Sequence, residues 1–255
     1  MLLRRIKHHV VSENWFAVFV DFVIVVVGVY VGIEVSNWNE ARQEDDRAQE
    51  YLERIHADLV SDQDAAMTRR EFWGRVIDYG EAAIRHAETG ELYRGSVNQT
   101  VLAYYQASQV DPFASVSTTY DEMKAAGELR LIRNAELRSK LANYYVYSNS
   151  LQAEHLFRYM PEYRETVRGL VPLVVQHYVW EECHVGMGAV GNQTLVECEL
   201  PIDDEMGAAL LQRLGSDVEL IESLRFWVTN LTISSNLIDD NMRLTDALLK
   251  LVAVD

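Results

Sequence analysis

Residues Trp15 to Val35 form one apolar run, broken only by Asp21 and Glu34 among ionisable residues. Positions 15 to 35 are 21 residues, which as a helix span about 31 Å, close to the roughly 30 Å hydrocarbon thickness of a bilayer. A buried strand would need only about 4–8 residues. A cleaved signal peptide would have a shorter apolar stretch and a small-x-small site. The basic start is present in Arg4, Arg5 and Lys7, but Glu34-Val35-Ser36-Asn37-Trp38 follows the run and offers no Ala-x-Ala. The expectation is an uncleaved signal anchor: a basic tail over 1–14, a transmembrane helix over 15–35, and one water-facing domain over 36–255.

Flanking charge sets the expected orientation. Arg4, Arg5 and Lys7 precede the run, and the basic flank of a span stays cytoplasmic. The domain over 36–255 is then exported, to the periplasm in a Gram-negative inner membrane. Trp15 and Trp38 bracket the run where interfacial aromatics belong. Gly28 and Gly32 make a GxxxG, which lets two helix backbones approach closely. At 100° per residue, Ala17, Asp21, Val25, Gly28 and Gly32 share one stripe. An acid inside a span should face protein, water or a cation rather than lipid. The stripe therefore implies a helix–helix contact with a second copy or another membrane subunit. The plainer alternative is an Asp21 that reaches back to the interface beside incidental glycines.

Charge is distributed unevenly. The chain carries 23 Lys and Arg against 39 Asp and Glu, a net charge of −16. Within 1–35, Arg4, Arg5 and Lys7 balance Glu13, Asp21 and Glu34, so the whole excess lies beyond the run. Such a surface repels nucleic acid. Four prolines and thirteen glycines in 255 residues leave long helices unbroken. The fold class expected is all-α, an elongated antiparallel helical bundle behind the membrane helix.

Periodicity and caps divide the bundle. Ala48, Tyr51, Leu52, Ile55 and Leu59 recur at helical spacing. Nothing between Ser36 and Glu40 breaks the helix leaving the apolar run, and Thr89-Gly90 is its expected stop near Ala87. A short helix over 96–109 is expected to carry Val97, Val101, Leu102 and Tyr105 on one side. Ser117 or Thr118 caps the next, which Gly127 ends. Asn134 starts a long segment that Pro161 and Pro172 divide. Pro201-Ile202-Asp203-Asp204 opens a helix to about Leu214. Ser216 or Asp217 caps a last one carrying Leu220, Leu224, Trp227, Leu231, Ile238, Leu244, Leu248 and Leu251.

The two cysteines, Cys183 and Cys198, form an even pair expected to be oxidised in an exported domain. The bond would staple a glycine-rich loop where helix periodicity fails.

Two segments resemble an uncharacterised bacterial family of single-pass membrane proteins. The first is Val26-Val27-Gly28-Val29-Tyr30-Val31-Gly32-Ile33-Glu34-Val35-Ser36-Asn37-Trp38-Asn39-Glu40, similar to that family's span and its Asn-Trp-Asn-Glu ending. The second runs from Thr119-Tyr120-Asp121-Glu122-Met123-Lys124 through Gly127-Glu128-Leu129 to Asn134, and looks like the family's central block. The basic start and Ser12-Glu13-Asn14 also fit. Ser36 and Glu34 stand where the family pattern has Asn and Gln. The resemblance implies a helical, membrane-anchored protein and no activity.

Catalytic signatures are not found. There is no Gly-x-Ser-x-Gly, P-loop or His-Glu-x-x-His. His177, Glu181, Glu182, Cys183 and His184 are the best metal-like cluster, but a disulfide would remove Cys183, and solvated side chains explain the rest. No cofactor or metal is expected. Tyr144, Tyr145, Tyr159 and Tyr163 could line a ligand or partner surface, because a tyrosine packs its ring and keeps its hydroxyl wet; core packing is the competing reading. The leading expectation is a non-enzymatic accessory or scaffold subunit of a membrane assembly. The alternative is a periplasmic small-molecule sensor signalling through a partner subunit.

Overall fold

The chain is all-α apart from one two-stranded ladder. Its structure, a computed structural model, describes residues 15–147, 156, 162–186 and 193–253. Two compact units divide it, residues 1–51 and 52–255.

In the first unit the described chain is a single helical stretch, the opening part of α1 (Trp15–Thr89). Large apolar side chains cover all its sides, and none from Phe19 to Val35 is buried. Phe16 is 77% exposed and Trp38 66% exposed.

The second unit holds the rest of α1, then α2 (Val97–Gln106), α3 (Thr118–Ala125), α4 (Ala135–Val146), α5 (Glu162–Leu170) and α6 (Leu173–Glu182). The ladder β1 (His184–Val185) and β2 (Thr194–Leu195) follows, antiparallel, pairing His184 with Leu195. Two helices complete the unit, α7 (Asp204–Gly215) and α8 (Val218–Val252).

Two seams organise it. On α1 the seam positions, all buried, are Ile55, Leu59, Asp62, Ala66, Arg69, Trp73, Val76, Gly80 and Ala83, with Phe72, Tyr79 and Ala82 buried beside them. On α8 they are Leu220, Leu224, Trp227, Leu231, Ser234, Ile238, Asn241, Thr245, Leu248 and Val252. Both sets alternate steps of four and three, the spacing that keeps a helix seam facing its partner. Gln63 donates to Asp246, Arg70 pairs with Asp239 at 2.6 Å, and Arg225 with Glu88 at 2.8 Å. Partners descend α8 as α1 ascends, so the two helices are antiparallel. A Cβ at Gly80 would stand 2.5 Å from Val228 Cγ2, so glycine permits the close approach there. Leu244, expected in the core, is 44% exposed because the seam passes through Asn241 and Thr245 on either side of it.

Most helix ends follow the capping chemistry of the sequence, whereas Ser117, at the start of α3, makes no cap bond and its Oγ donates to Asp121 Oδ2 at 2.7 Å. Gly90 adopts φ +74° and its N–H donates to His86 O, ending α1. Side chains of Ser96, Asn134, Asp203 and Asp217 accept from the backbone N–H three residues on, at the starts of α2, α4, α7 and α8. Pro172 separates α5 from α6, as expected; Pro161 lies outside the described residues.

Helix α2 departs from expectation. Rather than burying one side, it is buried on every side from Gln99 to Gln106. Its polar side chains are used internally. Gln99 Nε2 donates to Cys198 O at 2.8 Å, and Thr100 Oγ1 donates to Ser96 O while accepting from Tyr93 N. The carbonyls at its C-terminal end, which no further helical turn satisfies, accept from elsewhere. Tyr163 Oη donates to Tyr104 O at 2.6 Å and Trp227 Nε1 to Ala107 O at 2.9 Å. This helix is the hub on which α5 and α7 pack.

Candidate functional site

Three features rise above ordinary packing. The first is the surface of α1 over 15–35. An isolated chain leaves the apolar side chains of this stretch in contact with solvent, at roughly 25 cal/mol per Å². It meets the length and hydropathy of a membrane span, with none of its most apolar window buried. Asp21 lies on this exposed surface. A Cβ at Gly28 or Gly32 would meet nothing within 4 Å, so the glycine side of the helix is open.

The second is a buried acid. Asp62 occupies a seam position on α1 that the pattern reserves for an apolar residue. Its Oδ1 accepts from Val116 N at 2.7 Å and its Oδ2 from Tyr144 Oη at 2.8 Å. Burial pushes its pKa up to about 6, against the lowering effect of those two hydrogen bonds, with Asp58 adding a smaller upward push. Tyr145 stacks on Tyr120 at 4.6 Å between centroids and meets Tyr144 edge-on at 5.1 Å. The Tyr145 hydroxyl and Asp58 Oδ2 are buried without a hydrogen bond among the described residues. Enclosed in this way, Asp62 has proton gain and loss as its available chemistry.

Seven residues further along the same seam sits Arg69, also buried, paired with Asp111. The Asp111 carbonyl accepts from Trp73 Nε1 at 3.0 Å. The seam thus carries one acid and one base, each matched by a group from the loop between α2 and α3.

The third is the cysteine pair. Cys183 and Cys198 lie at disulfide distance, with Cα atoms 5.4 Å apart, and close the segment that carries the β ladder. Val196 N donates to Cys183 O at 3.0 Å. The ladder itself was not foreseen.

The candidate tyrosines separate into two places. Tyr144 and Tyr145 lie in the Asp62 cluster. Tyr163 is fully buried beneath α2, and its backbone N–H donates to Ser223 Oγ at 3.0 Å. All three are core residues with little ring surface exposed. Tyr159 lies outside the described residues. A groove of about 690 Å³ is lined by Tyr120, Leu129 and Arg130 with Arg138 and Ser139 of α4. The metal-like cluster is split: His177, Glu181 and Glu182 face solvent, whereas His184 is buried with Nδ1 2.9 Å from Val179 O. Among the described residues no group of three such side chains could hold an ion.

Sequence reasoning missed Asp62 and Arg69. Extending the four-three spacing from Ile55 and Leu59 by one heptad puts Asp62 on the core seam and by a second puts Arg69 there, and that signal was available. Compared with known protein families, curated proteins and solved structures, the chain matches none.

Proposed function

We propose that this chain is a membrane-anchored, non-enzymatic interaction subunit, held in a bacterial inner membrane by residues 15–35 with the helical domain on the periplasmic side. The observation that carries this reading is the apolar surface of α1, exposed on every side and long enough for a bilayer. Lipid is the solvent that such a surface requires, since lipid tails favour it where water does not. Arg4, Arg5 and Lys7 support a cytoplasmic N-terminus. The pairing of Cys183 with Cys198 suits an oxidising compartment. The likeness of residues 26–40 and 119–134 to an uncharacterised single-pass family adds to the anchor and brings no activity with it.

Within the membrane, the stripe of Ala17, Asp21, Val25, Gly28 and Gly32 is the proposed contact with a second copy or another subunit. Gly28 and Gly32 leave room for a neighbouring backbone. Asp21 supplies a polar group that favours a protein neighbour over lipid.

Alkaline carbonate extraction of membranes from cells making the full chain tests the anchor, and the chain should remain in the pellet. Protease added to spheroplasts should cleave the domain over 52–255. Recovery of the full-length chain in the soluble fraction would overturn the proposal. Cross-linking in mild detergent should trap a species that Gly28→Ile with Gly32→Ile removes; trapping monomer alone would overturn the contact.

A further inference from the structure

Helix α5 carries two arginines one turn apart, Arg164 and Arg168, flanking the buried Val167. Both are half-buried. Among the described residues, every hydrogen bond they make goes to a neutral acceptor. Arg164 donates to Ser108 O. Arg168 donates through Nε to Ser108 Oγ at 3.1 Å and through Nη2 to Gln109 Oε1 at 2.9 Å. Neither has a carboxylate partner among the described residues, in a protein whose net charge is −16.

That arrangement is electrostatically incomplete. Like charges at i and i+4 repel, and withdrawing a guanidinium from water costs free energy unless a counter-charge replaces the solvent. Desolvation lowers both pKa values, Arg164 to about 10, and a guanidinium keeps its proton in proteins. The C-terminal end of α2 lies at Ser108 and offers roughly half a negative charge. Against two full positive charges, about one and a half remain uncompensated by the described residues.

The surroundings are those of a binding site rather than of a solvated flank. Arg168 stacks over the Tyr105 ring at 5.1 Å and the Trp180 ring at 5.6 Å, which hold its planar fork in place. Trp180 in turn stacks on His184 at 4.5 Å. Three buried polar groups of this cluster lack a well-formed hydrogen bond among the described residues: Gln106 Nε2, His184 Nε2, and the Tyr105 hydroxyl beside the Trp180 indole. Gln106 is joined to the arginines through Gln109, whose Nε2 donates to Gln106 Oε1 at 2.9 Å. The Nη1 group of Arg168 and the Nε and Nη2 groups of Arg164 make no bond among the described residues and are not sealed from solvent. They are N–H donors of the kind that match an oxyanion.

We propose that Arg164 and Arg168 form an anion-binding site for a small molecule bearing a carboxylate or phosphate group, with Tyr105, Trp180 and His184 as its walls. The anion supplies the missing counter-charge and accepts from the outward N–H groups of the two guanidinia. The hydroxyl of Tyr105 and the amide of Gln106 are the remaining donors of the cluster. His184 Nδ1 donates to Val179 O, which leaves Nε2 as an acceptor for a ligand hydroxyl or amine. The cysteine pair beside His184 fixes the hairpin that carries this wall. This site is independent of the membrane contact proposed above.

The test is thermal unfolding and isothermal calorimetry of the full chain in detergent, titrated with inorganic phosphate and separately with succinate, each against sodium chloride at matched ionic strength. At least one should give a saturable rise in midpoint that chloride does not give, and the active arm names the group. Arg164→Gln and Arg168→Gln should each weaken binding by about 10- to 100-fold, the worth of one or two charge-assisted hydrogen bonds. Circular dichroism checks that the variants fold. Should Arg168→Gln not fold, Arg168→Lys keeps the charge but loses the fork and should still weaken binding. A midpoint that follows ionic strength alone, or folded Gln variants that bind as the parent does, would overturn the proposal.

Discussion

Along α1, residues 15–35 and residues 55–83 are both helical and both supplied with large side chains, yet they meet opposite fates. In the first stretch apolar residues point in every direction, and none of those from Phe19 onward is buried. In the second, apolar residues keep to a four-three spacing, and the seam is sealed by α8 and α2. A patterned helix finds its cover within its own chain. A helix that is apolar all round has no preferred side and needs an apolar surrounding. The polar residues differ in the same way: Asp21 stands on an open surface, whereas Asp62 and Arg69 are enclosed and matched by Tyr144 and Asp111.

That contrast can be broken first at Trp73. Trp73→Ala removes one of the largest buried side chains of the seam and its bond to Asp111 O, and should cost about 3–5 kcal/mol in urea unfolding. Val26→Ala, in the exposed stretch, should leave the same unfolding curve unmoved. Equal effects from the two would erase the distinction between the stretches.

Reducing the bond between Cys183 and Cys198 should lower stability by roughly 3 kcal/mol in the chain-entropy account of a loop with this 15-residue separation. Unfolding with and without dithiothreitol measures it, and Cys198→Ser should abolish the difference.

Asp62 sharpens the comparison through pH. Its folded pKa of about 6 stands above the ordinary aspartate value of 3.8, so the folded protein holds the proton more tightly than the unfolded chain. The contribution of Asp62 to stability is therefore greatest below about pH 4, falls as pH rises to about 6 by on the order of 2–3 kcal/mol, and levels off above. Asp62→Asn should flatten that segment of a pH series of urea midpoints. An unchanged slope would remove Asp62 as its source.

Gly80→Ala should cost about 1–3 kcal/mol, because the new methyl would overlap Val228 on α8. Gly28→Ile and Gly32→Ile should produce the smallest change of all in unfolding, since open space surrounds both. Their effect should register only in the cross-linking of the membrane-embedded chain.

Much of the architecture was legible because local chemistry dictated it. Gly90 ends α1 through its positive φ, and Asn134, Asp203 and Asp217 cap the helices that follow them. The Cys183–Cys198 pairing needed only two cysteines. Other features depended on neighbours distant in sequence. Gln99, Thr100 and Gln106 look like the wet side of a short amphipathic helix, but the partners that let them be buried come from residues 93, 96, 109 and 198. Leu244 looks like core until the seam is seen to run through Asn241 and Thr245. The β ladder spans only two residues on each strand, too short for any alternation to show. Arg164 and Arg168 look like a charged helix face, and only the fold brings Ser108, Tyr105 and Trp180 against them.

The sequence by itself determined which stretches are helical, where they stop, and that residues 15–35 lack a polar side. Helix formation, capping and hydrophobic period are set by residues within a turn or two of one another. Tertiary structure alone decided that α2 is the hub, that an acid and an arginine lie on the core seam, and that two arginines lack a counter-charge among the described residues. Burial and electrostatic compensation depend on what other segments bring within a few ångströms, and sequence spacing does not carry that information.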